Sequence, residues 1–386
     1  MNGLHSAYIH IPFCRHICTY CAFNTYAGLD ALIPAYMEAL CAEIAYVGER
    51  QPGIKLHTVF WGGGTPSMIP ATWIAQAHET LRRYFNVSED AEITLEANPN
   101  DVTASYAREL FDAGVNRLSV GVQSANEREL RLYEREHDHT MTIAAIENAR
   151  KAGFQNLSLD LIFGNPDQTM DEWQATLTAA LALAPEHISL YGLEVKGGTE
   201  LKRRVLRGEV TIPSDDLSAD MYEVARLWLG QAGFKHYEIS NWARPGFESR
   251  HNRQYWHNQP YLGFGAGAHG YVGGQRTIVV RSPQRYVALA GSASQRAFPR
   301  SPATSKCVPV SAEDEISETI MLGLRLVQEG INRRAFAERF GVDIVALRRA
   351  DVERLVGLGL LEVSDEYVRL SPAAYLISNR VIAELA

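Results

Sequence analysis

Long apolar runs are missing from this sequence: no stretch of its 386 residues approaches the roughly 18 uninterrupted apolar residues of a membrane span. A basic segment leading into an apolar run is also missing from its start, so no secretory leader and no transmembrane segment are expected, with peripheral membrane contact left open. Positive charge is not in excess. The formal charge of −8 argues against a general nucleic-acid binder, which carries a basic face. Cysteine is scarce, with five residues of which three share one short loop, too few and too bunched for a disulfide framework. A reducing, cytoplasmic setting is therefore expected. What the chain does have, 46% hydrophobic and 21% charged residues over this length, supports one large domain and a smaller one.

The three bunched cysteines lie in Tyr8-Ile-His-Ile-Pro-Phe-Cys14-Arg-His-Ile-Cys18-Thr-Tyr20-Cys21-Ala-Phe23, with the spacing C-x3-C-x2-C. Thiolates wrapped this closely can close around one inorganic cluster. Four irons held by three thiolates leave one iron open to chelation by a small molecule, which points to a [4Fe–4S] cluster on Cys14, Cys18 and Cys21. The competing readings are a zinc site, a disulfide or buried thiols. Zinc needs a fourth ligand, and its paired C-x2-C spacing recurs nowhere.

Around this loop the sequence alternates short apolar strands with amphipathic helices. Residues 6–11 read as the strand that delivers the loop, followed by a helix from Asp30, as N-cap, to about Gly48. Its apolar residues fall at three- and four-residue steps and place Cys41 in the core. Strands are expected near 57–60, 92–96, 117–122, 157–163 and 187–191, with helices near 71–83, 103–113, 143–152 and 170–182. Right-handed crossovers between parallel strands turn six such units into a (β/α)6 partial barrel of TIM type, an α/β fold whose chemistry belongs at the C-terminal strand ends.

Several polar and glycine positions sit at those ends. After the second strand comes Trp61-Gly62-Gly63-Gly64-Thr65-Pro66, where missing Cβ atoms let backbone amides approach a ligand, or a glycine-rich turn simply folds. Glu96 and Gln123 stand at the tips of the third and fourth strands. Asp160 lies in mid-strand, and as a buried acid it needs a partner, for which Arg135 is the candidate. Glu194 extends the same rim. His137 and His139 show no role and are expected at the surface.

At its spacing and in its wording, the stretch from Tyr8 to Cys21 resembles the signature of the radical S-adenosylmethionine (SAM) superfamily. Tyr-x-His-Ile-Pro-Phe-Cys is similar to the coproporphyrinogen dehydrogenase-like branch, which includes haem chaperones. The resemblance implies the partial-barrel fold, a SAM molecule on the open iron, and one-electron cleavage of SAM to a 5′-deoxyadenosyl radical. It further implies SAM contacts from Gly63, Gly64 and Thr65 of the GGTP element, and from Tyr8, Tyr20, Glu96, Gln123, Arg135, Asp160 and Glu194.

Beyond about residue 200 the repeat stops. A helix near 217–232 and a strand at 236–240 lead to an aromatic run with His251-Asn-Arg-Gln-Tyr255-Trp256-His257 and Gly263 to Tyr271. Histidines among aromatics and glycines fit a packed loop or the flank of a flat macrocycle. The words His-Asn-x-x-Tyr-Trp resemble an element of the haem-chaperone branch, which makes His251 the candidate haem contact. The expected organisation is a core over 1–240, a barrel extension over 241–291, and a Ser-, Ala-, Arg- and Pro-rich linker over 292–310 that holds Cys307. Residues 311–386 are expected as a small α+β domain of winged-helix shape. Ser311 with Asp314 opens its first helix, to about Val327, and 13 acidic against 9 basic residues speak against DNA.

Two activities compete within the resemblance: oxygen-independent dehydrogenation of coproporphyrinogen III, and haem binding with delivery to client proteins. Dehydrogenases follow the third cluster cysteine with x-Cys, where this chain has Ala22-Phe23, and they carry an N-terminal extension that this sequence lacks. Shielding a carbon radical needs a closed cavity, whereas a carrier must expose its cargo, so delivery is preferred. A radical SAM enzyme acting on RNA is a third reading, against which the net negative charge speaks. The resemblance also raises a homodimer.

Overall fold

A computed structural model describes residues 3–386. The chain forms two compact units, one of residues up to Ala225 together with Pro260–Pro309, the other of Arg226–Gln259 and Val310–Ala386. The first is the barrel. Its strands are β1 (Leu4–Ile11), β2 (Lys55–Gly63), β3 (Asn86–Ala97), β4 (Arg117–Gln123), β5 (Leu157–Phe163) and β6 (His187–Gly192), paired parallel in that order. Helices α1 (Ile33–Arg50), α2 (Ala71–Tyr84), α3 (Ala104–Asp112), α4 (Glu127–Leu132), α5 (His139–Ala152) and α6 (Met170–Ala182) make the crossovers. The expected (β/α)6 partial barrel is what the chain builds.

On its other edge β1 pairs in parallel with β7 (Tyr261–Phe264), and β8 (His269–Val272), β9 (Gln275–Val279) and β10 (Thr304–Pro309) follow antiparallel. The segment expected as a linker is therefore largely built in: 304–309 is a strand, and Cys307 sits on it, bonded through Sγ to Gln275 Oε1 at 2.8 Å. The segment is held by Glu43 of α1, which is fully buried and accepts hydrogen bonds from Ser301 Oγ (2.6 Å), Tyr286 Oη (2.7 Å) and the Gly265 N–H (2.9 Å). Asp30 does not cap α1. It opens a separate turn at 30–32, and α1 begins at Ile33 with Pro34 in its first turn and no side-chain cap. Among the described residues, Asp30–Arg50 is the one helix long and apolar enough to cross a membrane; half of it is buried within the unit, and Cys41 on it is half-buried.

The second unit is α+β. The strand Ile331–Asn332 pairs with the hairpin Leu361–Val363/Tyr367–Leu370, and helices 333–340, 344–347, 349–357 and 378–385 enclose a core of Ile320, Phe336, Ile344, Leu355, Val368 and Val381. Ser311 caps the first helix by accepting the Asp314 N–H at 3.1 Å, and that helix ends at Gly323.

Candidate functional site

The cysteine stretch leaves β1 at the C-terminal mouth of the barrel, and it is tied down by segments far apart in sequence. Thr19 donates its N–H to the Tyr133 carbonyl (3.4 Å) and its hydroxyl to the Leu132 carbonyl (2.9 Å), while its own carbonyl accepts the Leu201 N–H (2.8 Å). Arg15 pairs with Asp101, which also accepts Ser67 Oγ. Asn24 donates to the Ala266 and Arg281 carbonyls, both at 3.1 Å. His10 Nε2 donates to the Asn24 carbonyl (3.0 Å), leaving Nδ1 to accept the Tyr8 hydroxyl (3.0 Å).

The glycine element docks directly on this loop. The Gly64 N–H bonds the Ile11 carbonyl (2.7 Å), the Thr65 N–H bonds the Phe13 carbonyl (2.8 Å), and Thr65 Oγ1 donates to Cys14 Sγ (3.5 Å). Gly63 has φ +117°, and a Cβ there would lie 2.5 Å from the His10 ring. At Gly64 a Cβ would lie 2.6 Å from the Phe13 carbonyl oxygen and 3.0 Å from Cys14 Sγ. Only glycine permits this approach.

Cys14, Cys18 and Cys21 line one cavity of about 490 Å³, together with Tyr20, Gly63, Gly64, Thr65, Glu96, Gln123, Arg135, Asp160 and Glu194. The structure thus brings together every expected SAM contact except Tyr8, which lies outside the lining. Burial pushes the Cys14 and Cys21 thiols up. Among the described residues no group of three or more His, Cys, Asp or Glu is arranged for a single metal ion.

The carboxylates sit in contrasting places. Glu96 is half-buried at the cavity wall and accepts the Gly63 N–H at 3.1 Å; burial, with Asp160 nearby, pushes it up to about 7. Asp160 is raised by burial, and its partner is not Arg135. Its oxygens accept Ser119 Oγ at 3.1 and 3.0 Å, Ser189 bonds it as well, and the nearby cation is the buried Arg117. Arg135 instead donates to Asn98 Oδ1 (2.7 Å), to the Gly121 carbonyl (2.8 Å) and toward Cys18 Sγ (3.8 Å). Glu194 is exposed and pairs with Lys196 at 3.2 Å. Gln123 has φ +64°, a strained position at the tip of β4 where the pairing with β5 slips.

His137 is buried rather than at the surface, because the segment after α4 turns its ring back onto the end of β4. Its Nε2 donates to the Val122 carbonyl at 3.0 Å, and burial lowers it to about 4. His139 is half-buried in the first turn of α5. His251 belongs to the second unit, on the helix Arg250–Trp256. It is 1% exposed, and its Nε2 bonds Tyr255 Oη at 2.9 Å. Sequence reasoning passed over Arg117, Ser119 and Ser189. Their signal was the two-residue alternation of polar residues, Thr94/Glu96, Arg117/Ser119, Ser158/Asp160 and His187/Ser189, that a strand turns to one face.

Comparison with known proteins is consistent along the whole chain. The radical SAM superfamily profile matches residues 8–180, and that of the HemN C-terminal domain matches 310–377. The chain is 38% identical over 377 residues to heme chaperone HemW of Bacillus subtilis, covering 97% of each chain. It is 39% identical to heme chaperone HemW of Synechocystis, covering 83% of this chain and 78% of that one. A mitochondrial radical S-adenosyl methionine domain-containing protein 1 of Danio rerio is 33% identical, with 98% and 86% covered. Among solved structures, Escherichia coli coproporphyrinogen III oxidase (HemN) superposes with a TM-score of 0.83 over 99% of this chain and 89% of that one, at 23% identity, a likeness of fold. The chain belongs to the radical SAM superfamily, in the HemW family.

Proposed function

We propose that this protein is a haem chaperone: it binds haem and hands it to haem-dependent client proteins. Superfamily membership implies a SAM-binding iron–sulphur cluster. In this reading Cys14, Cys18 and Cys21 hold a [4Fe–4S] cluster, with SAM against Gly63, Gly64, Thr65, Glu96, Gln123, Arg135, Asp160 and Glu194, supported by Tyr8 and Tyr20. The donor set fits such a group. Three thiols face one cavity, and the bare backbone of Gly64 lies beside Cys14 where a Cβ would close the gap, as one on Gly63 would against the His10 ring.

When bound, the cluster supplies an open iron to chelate SAM and an electron to cleave it. The chain's own residues would do the rest. Glu96 and Asp160 offer carboxylate acceptors for hydroxyl groups, Arg135 offers a fixed cation, and the Gly63–Thr65 backbone leaves room for the amino-acid end of the ligand.

The observation that carries delivery over dehydrogenation is Phe23. It stands where the dehydrogenase branch places a cysteine, it is 73% exposed, and it lines the cavity beside half-exposed Ile17 and Tyr191. An apolar rim open to solvent suits a surface that takes up and releases a flat apolar cargo. His251 is proposed as a haem contact; its Nε2 is engaged by Tyr255, so ligating iron requires that bond to break.

The test is an anaerobic incubation of cluster-loaded protein with SAM and reductant, given coproporphyrinogen III in one vessel and haem in another. Stable haem binding without CO2 release is expected. Conversion to protoporphyrinogen would overturn delivery in favour of the dehydrogenase. Full haem binding by His251→Ala would move the iron ligand elsewhere.

A further inference from the structure

We propose that Arg135 is a positioning residue for the cluster itself: its guanidinium, held against Cys18, raises the cluster's reduction potential before any SAM arrives. The inference rests on the cluster reading above and deepens it.

Arg135 is fixed from two sides. Its Nη2 donates to Asn98 Oδ1 at 2.7 Å, just beyond β3, and to the Gly121 carbonyl of β4 at 2.8 Å. Both anchors come from strand ends of the rigid sheet. With Nη2 pinned, the planar guanidinium turns Nη1 toward Cys18 Sγ, 3.8 Å away. A Cβ on Gly121 would stand 3.3 Å from Nη2, so the glycine keeps this berth open.

The backbone beneath is fixed as well. The Arg135 N–H bonds the Leu130 carbonyl at 2.9 Å, and Glu134 before it turns through φ +58°. The neighbouring Leu132 and Tyr133 carbonyls hold Thr19, between Cys18 and Cys21. The segment that presents Arg135 therefore also clamps the loop that presents Cys18. The two cavity acids have other partners: Glu96 accepts the Gly63 N–H, and Asp160 is engaged by serines.

Adding an electron to a thiolate-ligated cluster deepens its negative charge. A fixed cation with an N–H aimed at a ligating sulphur stabilises the reduced form more than the oxidised one, and in a partly desolvated site that preference is weakly screened. The potential therefore rises. A contact with SAM alone would leave the SAM-free potential untouched.

The experiment is an anaerobic redox titration with dithionite, read by electron paramagnetic resonance on SAM-free, cluster-loaded protein. Iron and sulphide are measured on each sample first. Arg135→Gln is expected to shift the midpoint to more negative potential. Arg135→Lys, which keeps the charge but loses the fork, is expected to shift it less, and Asn98→Ala, which frees the guanidinium, to shift it in the same direction. An unchanged midpoint in Arg135→Gln at full iron content would overturn the inference, even if SAM affinity fell. Should that variant fail to assemble a cluster, unchanged midpoints in both other variants would overturn it equally. A wild-type chain that takes up no four-iron cluster overturns the underlying reading instead, and iron analysis shows this before any titration.

Discussion

Glu96 holds an acid where its charge is costly, and the cost can be read as a pH dependence. In the folded chain burial, with Asp160 adding to it, moves it from 4.5 to about 7. Between those values the folded state keeps a proton that the unfolded chain has lost. Stability therefore falls as pH rises from about 4.5 to about 7 and levels off above. At about 1.4 kcal/mol per pH unit the interval amounts to about 3 kcal/mol. Glu96→Gln keeps the size and can still accept the Gly63 N–H, so it removes the titration and leaves the packing. The variant should match wild type near pH 4.5 and exceed it by up to about 3 kcal/mol at pH 8. Cluster-free protein unfolded in urea, followed by hydrogen exchange in β3 peptides, separates this unit from the second. A wild-type-to-variant difference of the same size at both ends of the range would refute the reasoning. The functional counterpart has the opposite sign. Hydroxyl donors on a bound SAM favour the ionised carboxylate, so SAM binding should tighten as pH rises toward about 7. Glu96→Gln should bind weakly and without that dependence. An engineered gain in stability that costs ligand affinity would mark Glu96 as retained for binding.

Gly64→Ala places a methyl 2.6 Å from the Phe13 carbonyl oxygen and 3.0 Å from Cys14 Sγ. It is expected to lose at least about half of its reconstituted iron and to melt lower, because the clash is with backbone, and full iron content would refute the fit. Glu43→Ala strands the Gly265 N–H and the hydroxyls of Tyr286 and Ser301 in the core. It should cost about 3–5 kcal/mol, read as a fall in melting temperature, and a loss under about 1 kcal/mol would show that water replaces the carboxylate. Phe23→Cys restores the dehydrogenase spacing but leaves the mouth open, so coproporphyrinogen III should still release no CO2. Release would show that this single position separates the two activities.

The barrel was legible because its two periodicities are local. Leu157–Phe163 and Met170–Ala182 follow from alternation and from three- and four-residue spacing alone. What stayed hidden depends on partners distant in sequence. Residues 304–309 look like a linker because five of the six are exposed or half-exposed on an edge strand, and Ser301 is held by Glu43, 258 residues away. His137 carries no sign of burial in its polar neighbours; its ring is taken up by the Val122 carbonyl at the end of β4. Pairing Asp160 with Arg135 followed charge, whereas the sheet sets Ser189 directly opposite Asp160 and Ser119 opposite Ser158, two residues before it on the same strand. The cysteines could be read as a cluster site because their spacing is itself the chemistry, whereas GGTP, a glycine-rich turn on its own, reads as part of a site only through the family resemblance. Arg117 and Ser119 required knowing which face of β4 turns inward.

The way the cysteine loop is held bears on what the cluster must contribute. In a zinc finger the metal organises the chain, and its binding energy is folding energy. Here Thr19, Asn24, Arg15 and the Gly64–Thr65 backbone fix the loop against four separate segments of the barrel with protein hydrogen bonds alone. Ordering a residue costs roughly 1–2 kcal/mol of backbone entropy, and for this loop those contacts offset part of that cost. A cluster held here would then carry less of the burden of folding than a zinc finger's metal does, which leaves its potential to neighbours such as Arg135. That separation suits a carrier, whose fold has to persist whether or not cluster and cargo are present together.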